Sequence, residues 1–91
     1  MKVSILDGRQ RHKRALLSKL GRDLDHPEPI PNFDALYDVL TTDVKGPIRI
    51  VWRTRPVLRA ELGPDYDTLL DVLERAAKHR RDLEIEVEEL R

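Results

Sequence analysis

The apolar positions of this chain change their period several times, and each change marks an element. In Lys2-Val3-Ser4-Ile5-Leu6 the alternation predicts a short strand with Val3 and Ile5 on one face, closed by a turn at Asp7-Gly8. From about Gln10 to Leu24 the spacing lengthens. Leu16, Leu17, Leu20 and Leu24 recur every three to four residues and predict an amphipathic helix that leaves Arg11, Lys13, Arg14 and Lys19 largely on the wet side. Pro27, Pro29 and Pro31 then interrupt it, because each fixes φ, lacks an amide donor and pushes its predecessor toward extended backbone. That segment reads as a stiff loop.

Asn32 is a natural cap for a second helix from Phe33 to about Thr42. At about 100° per residue, Phe33, Leu36 and Leu40 fall within about 60° of one another, with Val39 beside them. The opposite sector holds Asp34, Asp38 and Thr41, and Tyr37 lies on the border. After Gly46-Pro47, the run Ile48-Arg49-Ile50-Val51-Trp52 is apolar on both faces except at Arg49, the pattern of a central strand with Trp52 in the core. Arg53 to Leu62 is ambiguous and reads at most as a short helical turn ended by Gly63-Pro64. Leu69, Val72, Leu73 and Ala76 give a helix from Asp65 to about His79, with an Asp at its N-cap. In the last stretch Leu83, Ile85 and Val87 alternate with Glu84, Glu86 and Glu88, which predicts a half-exposed strand. The order of elements favours an α/β fold in which a small parallel sheet is covered by three to four helices.

Length agrees with one domain over residues 1–91. The chain is 37% charged yet 40% apolar, so a packed core is expected rather than disorder. Without Cys it has no disulfides, thiolate metal site or Cys nucleophile. The first apolar run is too short for a secretory signal and no segment is long enough to span a membrane, so cytoplasmic residence is expected.

Zero net charge hides a segregation. Residues 1–22 carry seven bases against Asp7 alone, a balance of +6, whereas residues 23–43 carry six acids and no Lys or Arg, a balance of −6. The remaining residues hold ten of each sign. Such block asymmetry suggests a partner selected by charge.

Asp34 and Asp38, four apart on one helix face, repel by a few tenths of a kcal/mol. Two readings are open from spacing alone. Asp34 is favoured by the helix dipole in the first turn and Asp38 is an ordinary solvated charge; or the pair forms an anionic face for a cationic partner, with Tyr37 as aromatic anchor and Thr41 as hydrogen-bonding neighbour. Acid–base catalysis by paired carboxylates requires a concave, partly dry pocket that a wet helix face lacks. His12, His26 and His79 are not at ligand spacing, and no glycine-rich phosphate loop is present. No enzyme, metal or cofactor is expected. The basic residues of 1–22 read as a solvated helix face. Direct nucleic-acid binding is disfavoured by the lack of nearby aromatic rings and by the adjoining acidic segment.

The run Asn32-Phe33-Asp34-Ala35-Leu36-Tyr37-Asp38-Val39-Leu40-Thr41 resembles the signature helix of the barstar family, the intracellular inhibitors of secreted bacterial ribonucleases. Pro47 followed by apolar residues to Trp52-Arg53 is similar to that family's central strand, and Leu69-Leu70-Asp71-Val72-Leu73-Glu74-Arg75-Ala76 to its last helix. The resemblance spans essentially the whole chain in the same order. It implies a three-stranded parallel sheet with helices packed on it, and an acidic helix and preceding loop that plug a ribonuclease active site one-to-one. Carried over residue by residue, Asp34 and Asp38 fall at the main acidic contacts, Tyr37 replaces a usual Trp, and Thr41 matches a neighbouring contact. Asn32 and Ile30 at the loop end and Glu74 on the last helix complete the expected partner-binding set. The chain departs from the family in Pro29-Ile30-Pro31, where aromatic residues, a Gly and an acid are usual, in Arg75, which stands where a Glu is common, and in its neutrality. The alternative is a divergent module that binds another cationic protein, or RNA through the basic N-terminal helix.

Overall fold

A computed structural model describes residues 1–90 of the chain. Three strands, β1 (Lys2–Leu6), β2 (Ile48–Thr54) and β3 (Leu83–Glu89), form one parallel sheet in the order β1-β2-β3. Four α-helices connect them: α1 (Lys13–Asp23) and α2 (Phe33–Asp38) precede β2, and α3 (Pro56–Leu62) and α4 (Pro64–His79) precede β3. A π-helical turn, Val39–Asp43, extends α2. Crossovers of one hand in a sheet that grows in a single direction put every helix on the same face. The fold is α/β with a three-stranded parallel sheet, as the pattern of elements implies.

Register explains which residues are buried. Ser4, Ile50 and Ile85 are aligned across the sheet, as are Leu6, Trp52 and Val87. This is the face under the helices, where Leu6, Ile48, Ile50 and Trp52 are fully buried. Val3 and Ile5 occupy the other face of β1 and are exposed. Along that open face, Arg49 bridges Glu84 at 3.0 Å and Glu86 at 2.9 Å, and Arg53 pairs with Glu88 at 3.2 Å. The Glu alternation of β3 thus serves a cross-strand charge ladder. Ser4, buried beneath α1, donates to Asp23 at 2.8 Å, and Lys19 closes on the same carboxylate at 2.6 Å. A polar residue among leucines is thereby satisfied.

The core stripes follow the sequence periodicity. Leu16, Leu17, Leu20 and Leu24 of the α1 region, Phe33, Leu36, Val39 and Leu40 of the α2 region, and Leu69, Val72, Leu73 and Ala76 of α4 are all buried. Trp52 is in the core, its ring centroid 4.7 Å from that of Tyr66.

Two local expectations need correction. The stretch before Gly63 is a full helix, α3, because Pro56 stands at its first turn, where the missing amide is harmless, and Leu58 and Leu62 turn inward. No Asp caps α4: Gly63, at φ 57°, is the cap residue, Pro64 starts the helix, and Asp65 and Asp67 lie in the first turn, favourable to the dipole.

Candidate partner-binding site

The acidic face is built on a helix secured at both ends. At its start Asn32 is extended, and its side-chain oxygen accepts from the Ala35 amide at 2.7 Å. This pairs one of the orphan donors of the first turn. Beyond Asp38 the backbone widens, and the Val44 amide donates to the Val39 carbonyl at 3.0 Å, an i to i+5 bond. Thr41 contributes to that widening, since its hydroxyl donates back to the Tyr37 carbonyl at 2.8 Å.

The far end is held by Arg80. Its Nη1 donates to the carbonyls of Leu40 at 2.8 Å and Val44 at 2.5 Å, while Nε and Nη2 grip the two oxygens of Asp82, each at 2.8 Å. The Asp82 hydrogen bonds raise the guanidinium's pKa and, reciprocally, Arg80 holds the Asp82 carboxyl below its ordinary value; partial desolvation opposes both shifts. Gly46 lies against this pair, where a Cβ would collide with the Asp82 carboxylate. A third tie comes from the loop: His26 Nε2 lies 3.5 Å from the Asp43 carboxylate, and its Nδ1 is 2.7 Å from the Glu28 carbonyl.

Asp34 and Asp38 are exposed on this clamped helix, and among the described residues neither is in a salt bridge. The dipole favours Asp34 in the first turn but not Asp38 at the last position of α2. Among the described residues, Asp38 is therefore an anion that neither the helix nor an ion-paired cation compensates. Tyr37 is half-buried at the edge of this face. Its ring packs toward α4, with the Arg75 guanidinium 5.1 Å from its centroid and the His79 ring at 6.4 Å. Arg75 is held there by Asp71 at 3.0 Å.

The structure therefore brings Asn32, Asp34, Tyr37, Asp38 and Thr41 together on one element. Ile30 is only 6% exposed and turns into the core beside Gly21, so it anchors the loop from within. Glu74 is exposed on α4, but lies about 100° around the helix from Arg75, which touches Tyr37. Arg80 and Asp82, which the sequence did not single out, and His26, which it weighed only as a metal ligand, position the face, and Arg75 borders it. Nothing local marks this role, because the contacts that reach the α2 region, from Arg80 to Leu40 and Val44 and from His26 to Asp43, are tertiary. Among the described residues no cluster of three or more His, Cys, Asp or Glu could hold a metal ion, and no helix is long and apolar enough to cross a membrane.

A rigid helix with unpaired carboxylates can meet a cationic surface without first breaking ion pairs of its own. A family model, Barstar (barnase inhibitor), matches residues 1–88. Comparison with curated proteins gives no match. With the three-stranded parallel sheet, the four helices and a match over nearly all of its length, the chain belongs to the barstar family, whose members bind ribonucleases as inhibitors.

Proposed function

We propose that this protein is a one-to-one inhibitor of a small secreted bacterial ribonuclease, acting in the cytoplasm of the producing cell and seating the α2 face in the enzyme's phosphate-binding active site. One observation carries the reading: two exposed carboxylates, one turn apart and in no salt bridge among the described residues, on a helix clamped at both ends. A ribonuclease must hold a phosphodiester with cationic side chains, and carboxylates on a rigid helix present comparable charge at fixed spacing. Rigidity matters because groups already ordered lose little entropy on binding. The charge of Asp34 and Asp38 also steers the encounter over distances near the Debye length, about 8 Å in physiological salt. Tyr37 adds ring surface and Thr41 a polar group at the rim, with Asn32 at the loop end. The protein acts by occupying the site and performs no chemistry of its own.

The test is titration of the secreted ribonucleases of the same genome with wild-type protein and three variants. Asp38→Ala and Asp34→Ala should each weaken inhibition at least about tenfold, equivalent to about 1.4 kcal/mol. Asp67→Ala removes the same charge from the exposed side of α4, where Asp67 pairs with Arg59 at 3.6 Å, and should change inhibition far less. Equal losses for all three would mean a diffuse field in place of a specific site.

A further inference from the structure

The α2 face uses Asp34 and Asp38 of the acidic block but gives no role to Lys13, Arg14 and Arg22 of the basic block. The structure gives that block a shape. Between α1 and the Pro27–Pro31 loop runs a groove of about 740 Å³, floored by Leu17, Gly21 and Ile30 and rimmed by Lys13, Arg14 and Arg22. All three cations are exposed, and among the described residues none is in an ion pair. Glu28 is the one acid in the lining. Helix stability does not account for Lys13 and Arg14. They occupy the first turn of α1, which has no acid, where the positive end of the dipole opposes a cation.

We infer that this groove docks an acidic, extended polypeptide segment of the partner that α2 engages. The charge is complementary, and the apolar floor suits side chains interspersed with the acids. From Lys13 to Arg22 the rim runs about 14 Å along α1, room for about four residues of extended chain. Nucleic acid fits less well, because the lining contains no Phe, Tyr or Trp ring on which a base would stack. The loop is the shared wall, closing the groove and running directly into Asn32, the cap of α2. In this reading a protein seated on α2 also reaches across the loop to the groove. Its surface is basic against α2 and acidic against α1, and this two-signed match fixes its rotational register and rejects uniformly cationic proteins. Assigning the segment to the partner of α2 rests on the inhibitor reading, whereas the preference of the groove for acidic chain does not.

Two binding measurements test this, using the full chain and the variant K13E/R14E/R22E. K13E and R14E put acids in the first turn of α1, where the dipole favours them, and R22E puts one in the exposed last turn, where it opposes them; circular dichroism verifies that the triple variant keeps the fold. The first follows polarisation of a fluorescein-labelled peptide with a run of Asp and Glu between leucines. Its binding should weaken at least tenfold in the triple variant and with rising salt, and should persist in D34A/D38A. Failure to bind, equal binding to the triple variant, or tighter binding of an RNA oligonucleotide of similar length would overturn the acidic-segment assignment. The second titrates the ribonuclease found in the inhibition screen. A loss of at least tenfold in the triple variant supports the two-signed interface, and unchanged affinity overturns it. Peptide binding without any inhibited ribonuclease would keep the groove and remove the inhibitor reading.

Discussion

Arg80 is the residue on which the acidic helix most depends, and its truncation gives the sharpest test of how the face is held. Arg80→Ala removes two hydrogen bonds to the carbonyls of Leu40 and Val44 and two to the Asp82 carboxylate. The side chain is 14% exposed and both carbonyls belong to buried residues, so water replaces the bonds to the carbonyls poorly. A hydrogen bond to a charged group contributes about 1.5–3 kcal/mol, and because one nitrogen serves both carbonyls each is taken at the lower end; the two carbonyl bonds then contribute about 3 kcal/mol, while water largely replaces the bonds to the Asp82 carboxylate, which is 47% exposed. A domain of this length has about 5–14 kcal/mol in all, so the loss is substantial. With an m-value of about 1.3 kcal/mol/M, the urea midpoint should fall by about 2 M. Urea denaturation at pH 7 measures it, with Asp82→Ala as comparison, which removes the carboxylate but leaves the bonds to the carbonyls. The reasoning fails if Arg80→Ala shifts the midpoint no more than Asp82→Ala. The pair also carries a pH signature. Because Arg80 holds the Asp82 carboxyl below its ordinary value, its contribution is present above about pH 4 and lost as pH falls through the lowered value. Wild-type stability should therefore fall more steeply below about pH 4 than that of Arg80→Ala, and parallel acid-denaturation curves would contradict the assignment.

Three further outcomes are expected. Asn32→Ala, which deletes the 2.7 Å cap of α2, should lower stability by about 1 kcal/mol in urea denaturation, while Asn32→Asp keeps the acceptor and should restore most of it. Tyr37→Ala should weaken ribonuclease binding by about 1 kcal/mol or more while costing less stability than the roughly 3–5 kcal/mol of a buried aromatic truncation, because the ring is only half-buried; titration and denaturation together separate the two effects. Gly21→Ala should stabilise by about 0.5–1 kcal/mol, since Gly21 is helical and a Cβ there would meet Ile30 at 3.7 Å, an ordinary contact; a lowered midpoint would show that the groove floor is tighter than it looks.

Much of this architecture was written locally. The leucine spacing of α1, the Phe33-Leu36-Leu40 stripe, the apolar β2 run and the alternation of β3 each follow from one period, and a period fixes both an element and the face it buries. The carboxylates at 34 and 38 were legible for the same reason: on a helix, residues four apart share a face. The conformation at Pro56 and Gly63-Pro64 was coded less plainly, because proline both starts and stops helices and only the inward packing of Leu58 and Leu62 decides which. In β1 the alternation yields two candidate faces, and register against β2, with all helices on one side, decided that Ser4 and Leu6 go in while Val3 and Ile5 stay out. The clamp on the acidic helix depends on a guanidinium 36 and 40 residues away in sequence, and Arg80 in the sequence looks like any other surface cation. Likewise the bases of α1 read as a solvated face until the proline loop folds alongside them and makes a groove. Sequence determined the elements and the charges they carry, because periodicity is a property of neighbours along the chain; tertiary structure decided which charges are tied down and which are left to a partner, because that depends on residues that meet only after folding.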